Sequence, residues 1–136
     1  MPELPTVTMT FLFTDVEGST RLWERHPAEM ATALARHDVL LRQAIVAHGG
    51  RVFATGGDAF CAAFATANDG LAAALAAQHA MAREAWPAPT RIKVRMALHT
   101  GTAEVRGDDF FGPTLNRAAR LLSAGYGGQV LLSLAA

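Results

Sequence analysis

The chain has 136 residues, 51% of them hydrophobic and 18% charged, which suits one domain with a substantial core. Its 12 basic and 12 acidic residues cancel, so nothing draws it generally to nucleic acid or anionic lipid, and neither is expected as a partner. The single cysteine, Cys61, excludes an internal disulfide. The N-terminus has no basic segment typical of a signal peptide, and no apolar run is long enough to span a membrane. We therefore expect a cytoplasmic protein.

The hydrophobic pattern predicts alternating strands and helices. A β-branched and aromatic strand over residues 7–14 is followed by a short helical turn at 21–23 and by a long helix that begins at Pro27 and ends at Gly49. Glycines predict a hairpin between 51–55 and 59–64. A second helix covers 67–85, and alternation predicts a strand at 91–98, possible extended chain to 106 and a turn at 107–109. A helix from Pro113 to Gly125 and a strand at 129–132 complete the chain.

This order is β-α-β-β-α-β followed by a helix and a strand. It predicts an α+β fold with a ferredoxin-like βαββαβ core, an antiparallel sheet with helices on one face, and a further helix and strand. In that topology strand one lies between the third and fourth strands. Its C-terminal end then lies beside the start of the second strand of the hairpin. Asp15 and Asp58 are therefore expected to meet at one edge of the sheet, meaning the edge formed by the ends of these strands.

Two carboxylates at one sheet edge fit a site for two Mg²⁺ or Mn²⁺ ions bound together with phosphate oxygens. The alternative is that Asp15 caps a turn and Asp58 supplies ordinary hairpin chemistry, both common uses of aspartate. The two residues alone leave these interpretations evenly balanced. The glycine, serine and threonine that follow Asp15 would leave backbone N–H groups free at a helix start, where anions bind.

Five short motifs carry a resemblance to a known family. They are residues 11–20 (FLFTDVEGST), 57–60 (GDAF), 99–101 (HTG), 109–112 (DFFG) and 116–120 (NRAAR). Together and in this order they resemble the class III adenylate/guanylate cyclase catalytic domain. The resemblance predicts a single domain over residues 1–136 with its core at 7–133, in which the C-terminal helix and hairpin of the family are absent.

The resemblance implies conversion of ATP to 3′,5′-cyclic AMP and pyrophosphate, for intracellular signalling. It assigns metal binding to Asp15, Asp58 and the carbonyl of Val16, with two Mg²⁺ or Mn²⁺ ions per site. It also implies roles for three further groups of residues. The N–H groups of Glu17, Gly18, Ser19 and Thr20 would hold the β- and γ-phosphates, Asp109 would contact the purine, and Arg106 lies near a triphosphate-binding arginine of the family.

The same resemblance implies a head-to-tail homodimer with shared active sites. Asn116 would orient the ribose and Arg120 would stabilise charge on the α-phosphate, each from the second subunit. Their i, i+4 spacing places both on one helix face. The alternative is that Arg120 only caps the helix and Asn116 is an ordinary surface residue.

One substitution and two competing functions stay open. Ala54 occupies the position of a purine-binding lysine usual in adenylate cyclases of the family, so base selection is expected to be weaker. The first competitor is a GTP-using cyclase that forms cyclic GMP, or cyclic di-GMP, because Gly56 to Phe60 resembles the diguanylate cyclase signature. The second is a degenerate, non-catalytic domain that binds nucleotide or dimerises to control a neighbour.

Overall fold

The computed structural model describes residues 5–136. Ten elements follow one another along the chain: β1 (Thr6–Val16), α1 (Ser19–Arg25), α2 (Pro27–Ala47), β2 (Arg51–Gly56), β3 (Ala59–Phe64), α3 (Ala67–Arg83), β4 (Val94–Arg106), β5 (Asp109–Phe111), α4 (Pro113–Ser123) and β6 (Val130–Leu132). Within residues 5–136, no helix has the length and apolarity that a membrane crossing requires.

One sheet holds all six strands, in the order β2-β3-β1-β4-β5, with β6 pairing parallel to β4. β1 is central and antiparallel to both β3 and β4. The predicted α+β, ferredoxin-like arrangement is therefore confirmed, and strand one lies between the third and fourth strands as expected. The turn between β2 and β3 and the last residues of β1 consequently lie at the same edge of the sheet.

The main core lies between the sheet and two long helices, α2 and α3. Alternation in β1 directs Leu12, Thr14 and Val16 to this side, where α2 contributes residues such as Leu41 and Ile45. A Cβ atom at Gly70 of α3 would lie only 3.0 Å from Leu98. Because glycine has no Cβ, the alanine-rich helix can pack closely on the sheet at this point. This helical layer leaves the opposite face of the sheet available for other elements.

A smaller cluster lies on that opposite face, beneath α4 and the β4–β5 hairpin. The edge-to-face rings of Phe11, Phe53 and Phe110 form its centre, with centroids 5.0 to 5.9 Å apart. A β-bulge between Val52 and Ala54 accompanies the turn of Phe53 into this cluster. Helices α2 and α3 share one face as predicted, whereas the additional helix α4 covers the other.

The largest differences from the predicted bounds lie in the hairpin of β4 and β5. β4 begins at Val94 and runs to Arg106, far beyond residue 98, because nearly its full length pairs with β1. The predicted turn at 107–109 contains only two residues, since Gly107 takes a positive φ of 61° and Asp109 already starts β5. The resulting hairpin returns across the sheet, where Arg51 of β2 lies over Phe110.

Candidate functional site

Asp15 lies near the end of β1 and faces away from the helical layer, as Phe11 and Phe13 do. Arg95 of β4 is its direct cross-strand partner. The guanidinium binds the carboxylate through both arms of its fork: Nε donates to Oδ1 at 2.7 Å, and the second nitrogen donates to Oδ2. The two side chains are 23% and 27% exposed, so the pair is partly screened by solvent. Both carboxylate oxygens are thus presented to a cation.

Asp58 occupies the second position of the two-residue turn between β2 and β3. Gly57 precedes it with a φ of 59°, a conformation that glycine adopts without strain. The register pairs Thr14 with Phe60, which puts Asp58 and Asp15 at the same edge of the sheet. The hydrogen bonding that Arg95 donates to Asp15 has the largest effect in raising the pKa of Arg95, and the charges of Asp15 and Asp58 add to it.

The donor set at this edge fits a divalent cation that also binds phosphate. Mg²⁺ commonly takes one or two protein carboxylates and completes its shell with water and phosphate oxygens. Across residues 5–136, no cluster of three or more histidine, cysteine, aspartate or glutamate side chains could hold a metal ion, so a pair of acids is the available arrangement. The side chain of Val16 is buried in the core. The proposed role of its carbonyl stays a prediction.

The loop after Asp15 turns sharply into the short helix α1. Gly18 has a φ of 67° and Ser19 begins the helix, whose first N–H groups have no intrahelical partner. The Glu17 N–H, however, donates to the Lys93 carbonyl at 2.9 Å and is therefore engaged within the protein. Gly18, Ser19 and Thr20 keep the predicted phosphate-binding role.

A second group of predicted site residues lies around Cys61 of β3. Ala54 is the cross-strand partner of Cys61 on β2. Burial and the nearby Asp109 carboxylate raise the pKa of the Cys61 thiol to about 11. Asp109 also accepts the Phe110 N–H at 2.8 Å, which orients its carboxylate. The two residues of the predicted purine site, Ala54 and Asp109, therefore both lie near Cys61.

Helix α4 exposes the remaining predicted residues, Asn116 and Arg120. It packs on the sheet through a different stripe, represented by Thr114 and Ala118, so the i, i+4 pair is directed away from that contact. Gly101 allows this packing: a Cβ atom there would lie 2.7 Å from the Thr114 side chain. The exposed pair is accessible to another molecule.

Arg106 lies away from Asp15 and Asp58 of its own chain, and its triphosphate-binding role stays a prediction. It stands at the opposite end of β4 from Arg95, is exposed, and bonds Glu104 at 3.0 Å while its guanidinium lies over Phe111. Arg95 is the arginine next to Asp15, and sequence reasoning missed it. The miss has a physical cause, because the pairing of Arg95 with Asp15 depends on the β1–β4 register, which the predicted strand bounds do not fix.

Comparisons with known proteins identify this fold as that of a nucleotide cyclase type of domain. The profile of the family described as "Adenylate and Guanylate cyclase catalytic domain" matches residues 1–136. An uncharacterised protein of Mycobacterium tuberculosis is 46% identical over 133 residues, covering 96% of this chain and 44% of that protein. An adenylate cyclase of Podospora anserina is 32% identical over 154 residues, covering 95% of this chain and 7% of that enzyme.

Solved structures show the same relationship. Adenylate cyclases from Trypanosoma brucei, described in their monomeric state, match with a TM-score of 0.90 and 30% identity, covering 98% of this chain and 76% of theirs. The chain belongs to the adenylate and guanylate cyclase catalytic domain family. It spans less than half of the length of the mycobacterial relative.

Proposed function

We propose that this chain is the catalytic domain of an adenylate cyclase, which converts ATP to 3′,5′-cyclic AMP and pyrophosphate. The observation that carries the proposal is the meeting of Asp15 and Asp58 at one sheet edge, next to Arg95. In the reaction the ribose O3′ forms a bond to the α-phosphorus while the bond to the pyrophosphate oxygen breaks. The hydroxyl proton leaves to solvent.

Asp15 and Asp58 would hold two Mg²⁺ or Mn²⁺ ions. When bound, such ions lower the pKa of the attacking hydroxyl and neutralise the departing pyrophosphate. Gly18, Ser19 and Thr20 would hold the terminal phosphates through backbone N–H groups. Arg95 is the arginine at this edge and would add bidentate donors to phosphate oxygens.

The purine would lie near Cys61, between Ala54 and Asp109. A carboxylate accepts hydrogen bonds from the exocyclic amino group of adenine, which favours ATP. Ala54 offers no side-chain donor for a ring nitrogen, so discrimination against GTP rests on fewer contacts. A guanine nucleotide is therefore the alternative substrate that the assay must include.

Asn116 and Arg120 would act from a second copy of the chain. Both are exposed on α4, where they are available to a site on a partner. Arg120 would stabilise the charge that develops on the α-phosphate, and Asn116 would orient the ribose. The catalytic unit on this proposal is a homodimer with two shared sites.

The test measures cyclic nucleotide formation from ATP and from GTP with Mn²⁺, with products separated by chromatography. Asp58→Asn should reduce cyclic AMP formation by at least about 100-fold, because a metal ligand is lost. Asp108→Asn is the matched control: Asp108 also follows a positive-φ glycine in a two-residue hairpin turn, but it is fully exposed. It should retain activity.

The other outcomes decide between the competing functions. Cyclic GMP or cyclic di-GMP as the main product would replace the ATP assignment with a GTP-using cyclase. Nucleotide binding without turnover would favour a non-catalytic domain. The absence of a purine-binding lysine at Ala54 is the sequence feature that favours this alternative. Equal losses in Asp58→Asn and Asp108→Asn would argue against the metal site.

Complementation tests the shared site directly. Asp58→Asn and Arg120→Ala should each be inactive alone, and a mixture should regain activity because one site of the heterodimer is intact. Subunit exchange is verified with two affinity tags. Exchange without recovery would contradict a site shared between chains.

A further inference from the structure

Arg95 does more at the carboxylate edge than a phosphate contact would require. In this structure its guanidinium binds both oxygens of Asp15, the same atoms that a metal ion would use. The pairing follows from the fold, because Asp15 and Arg95 are direct partners in the β1–β4 register. The Arg95 guanidinium therefore binds the carboxylate that is the expected ligand of the metal ion.

The charge distribution explains why this contact is stable without a metal. The carboxylates of Asp15 and Asp58 lie at the same edge of the sheet as the Arg95 guanidinium, which binds both oxygens of Asp15. Because like charges at one sheet edge repel each other, the arginine offsets a repulsion that would otherwise oppose folding. A divalent cation supplies the same compensation, and two cations on one carboxylate repel each other. Arg95 and the metal are thus alternatives.

We propose that Arg95 is a built-in competitor of the metal ion, which keeps Asp15 closed until a polyphosphate draws the guanidinium away. This inference rests on the proposed function, since it assumes that Asp15 is a metal ligand. Phosphate oxygens accept the same bidentate fork that Asp15 accepts. Nucleotide binding therefore releases Asp15 for the metal, and by linkage the metal strengthens nucleotide binding by the same factor.

The experiment is a Mn²⁺ titration of the protein without nucleotide. The concentration of free Mn²⁺ is measured at each point by electron paramagnetic resonance. Arg95→Gln removes the competing charge and should bind Mn²⁺ about tenfold more tightly than the wild type, which corresponds to about 1.4 kcal/mol. Lys93→Gln is the matched control, since it removes one positive charge two residues before Arg95, just ahead of the start of β4. It should change the affinity less than twofold.

The nucleotide provides a second readout. A non-hydrolysable ATP analogue should strengthen Mn²⁺ binding to the wild type more than to Arg95→Gln, because the variant has no competitor to displace. Arg95→Lys keeps the positive charge but has no bidentate guanidinium. Its Mn²⁺ affinity should lie between those of the wild type and Arg95→Gln. It also keeps the test decisive if Arg95→Gln fails to fold, because a folded Arg95→Lys with wild-type affinity would overturn the proposal.

The outcomes separate this inference from the proposed function. If Asp15→Asn abolishes Mn²⁺ binding but Arg95→Gln leaves it unchanged or weaker, the metal site stands and the competition is refuted. Equal tightening in Arg95→Gln and Lys93→Gln would mean that general electrostatics, not the Asp15 contact, controls the affinity. If neither the wild type nor any variant binds Mn²⁺ with or without the analogue, the metal site itself is wrong.

Discussion

Packing between Gly101 and helix α4 gives a quantitative test of the structure. A Cβ atom at residue 101 would lie 2.7 Å from both Cγ2 and Oγ1 of Thr114, closer than side-chain atoms tolerate. The substitution Gly101→Ala should therefore displace α4 and cost about 1–3 kcal/mol of unfolding free energy, the usual range for overpacking. Since α4 carries Asn116 and Arg120, we expect activity to fall with stability.

Removing the opposing side chain should reverse most of this effect. Thr114→Ala alone loses the hydrogen bond from Oγ1 to the Thr102 carbonyl, 2.6 Å long, at a cost of about 1 kcal/mol. In the double variant both close atoms are gone, so the total should stay near 1 kcal/mol instead of reaching the sum. The expected coupling energy is about 1–3 kcal/mol.

Urea unfolding of the four proteins measures this cycle, provided that their m-values agree. Gly56→Ala is the matched control, because Gly56 also lies in a strand but a Cβ atom there meets nothing within 4 Å. Its cost should stay within about 0.5 kcal/mol. Additive losses at positions 101 and 114, or equal losses at positions 56 and 101, would refute the close approach of α4 to β4.

Two further predictions concern titratable groups. Burial and the Arg117 guanidinium lower the pKa of His99, so the unfolded chain binds a proton first as the pH falls. Thermal stability should therefore decline below about pH 6.5, and Arg117→Gln should lessen the decline. The measurement is the melting temperature as a function of pH, and identical profiles for the wild type and Arg117→Gln would contradict the prediction. The Cys61 pKa of about 11, against an ordinary 9.0, predicts alkylation at pH 8 roughly 100-fold slower than in the unfolded chain. Asp109→Asn should accelerate that alkylation, and an unchanged rate would place the carboxylate elsewhere.

The sequence predicted the carboxylate pair because its inference needed only topology. Once strand one lies between its antiparallel neighbours, Asp15 and the turn at Asp58 must share an edge, whatever the details of packing. The side of the sheet that α4 covers was not predictable in this way. The buried stripe of α4 consists of Thr114, Ala118 and Leu122, and its pattern does not indicate which face of the sheet it packs on. The close approach of Thr114 to Gly101, which has no side chain, accommodates α4 on the face that it covers.

Strand β5 and the role of Arg95 were missed for different physical reasons. β5 has three residues after a two-residue turn, too short for an alternating pattern to be recognised. Arg95 belongs to a correctly recognised strand, but its importance comes from register with Asp15, a long-range property. Arg106 was predicted because it lies near a triphosphate-binding arginine of the family, and β4 carries it to the opposite end of the sheet from Asp15.

Two hairpin turns within residues 5–136 show what distinguishes a site from a motif. Gly57-Asp58 and Gly107-Asp108 have the same residues and nearly the same glycine φ, 59° and 61°. Asp58 is half-buried and its charge reaches Arg95, whereas Asp108 is fully exposed and lies 3.8 Å from Arg51. Local sequence therefore builds both turns equally well. The pairing of β3 with the central strand β1 places Asp58 at the same edge of the sheet as Asp15, where the proposed chemistry needs it.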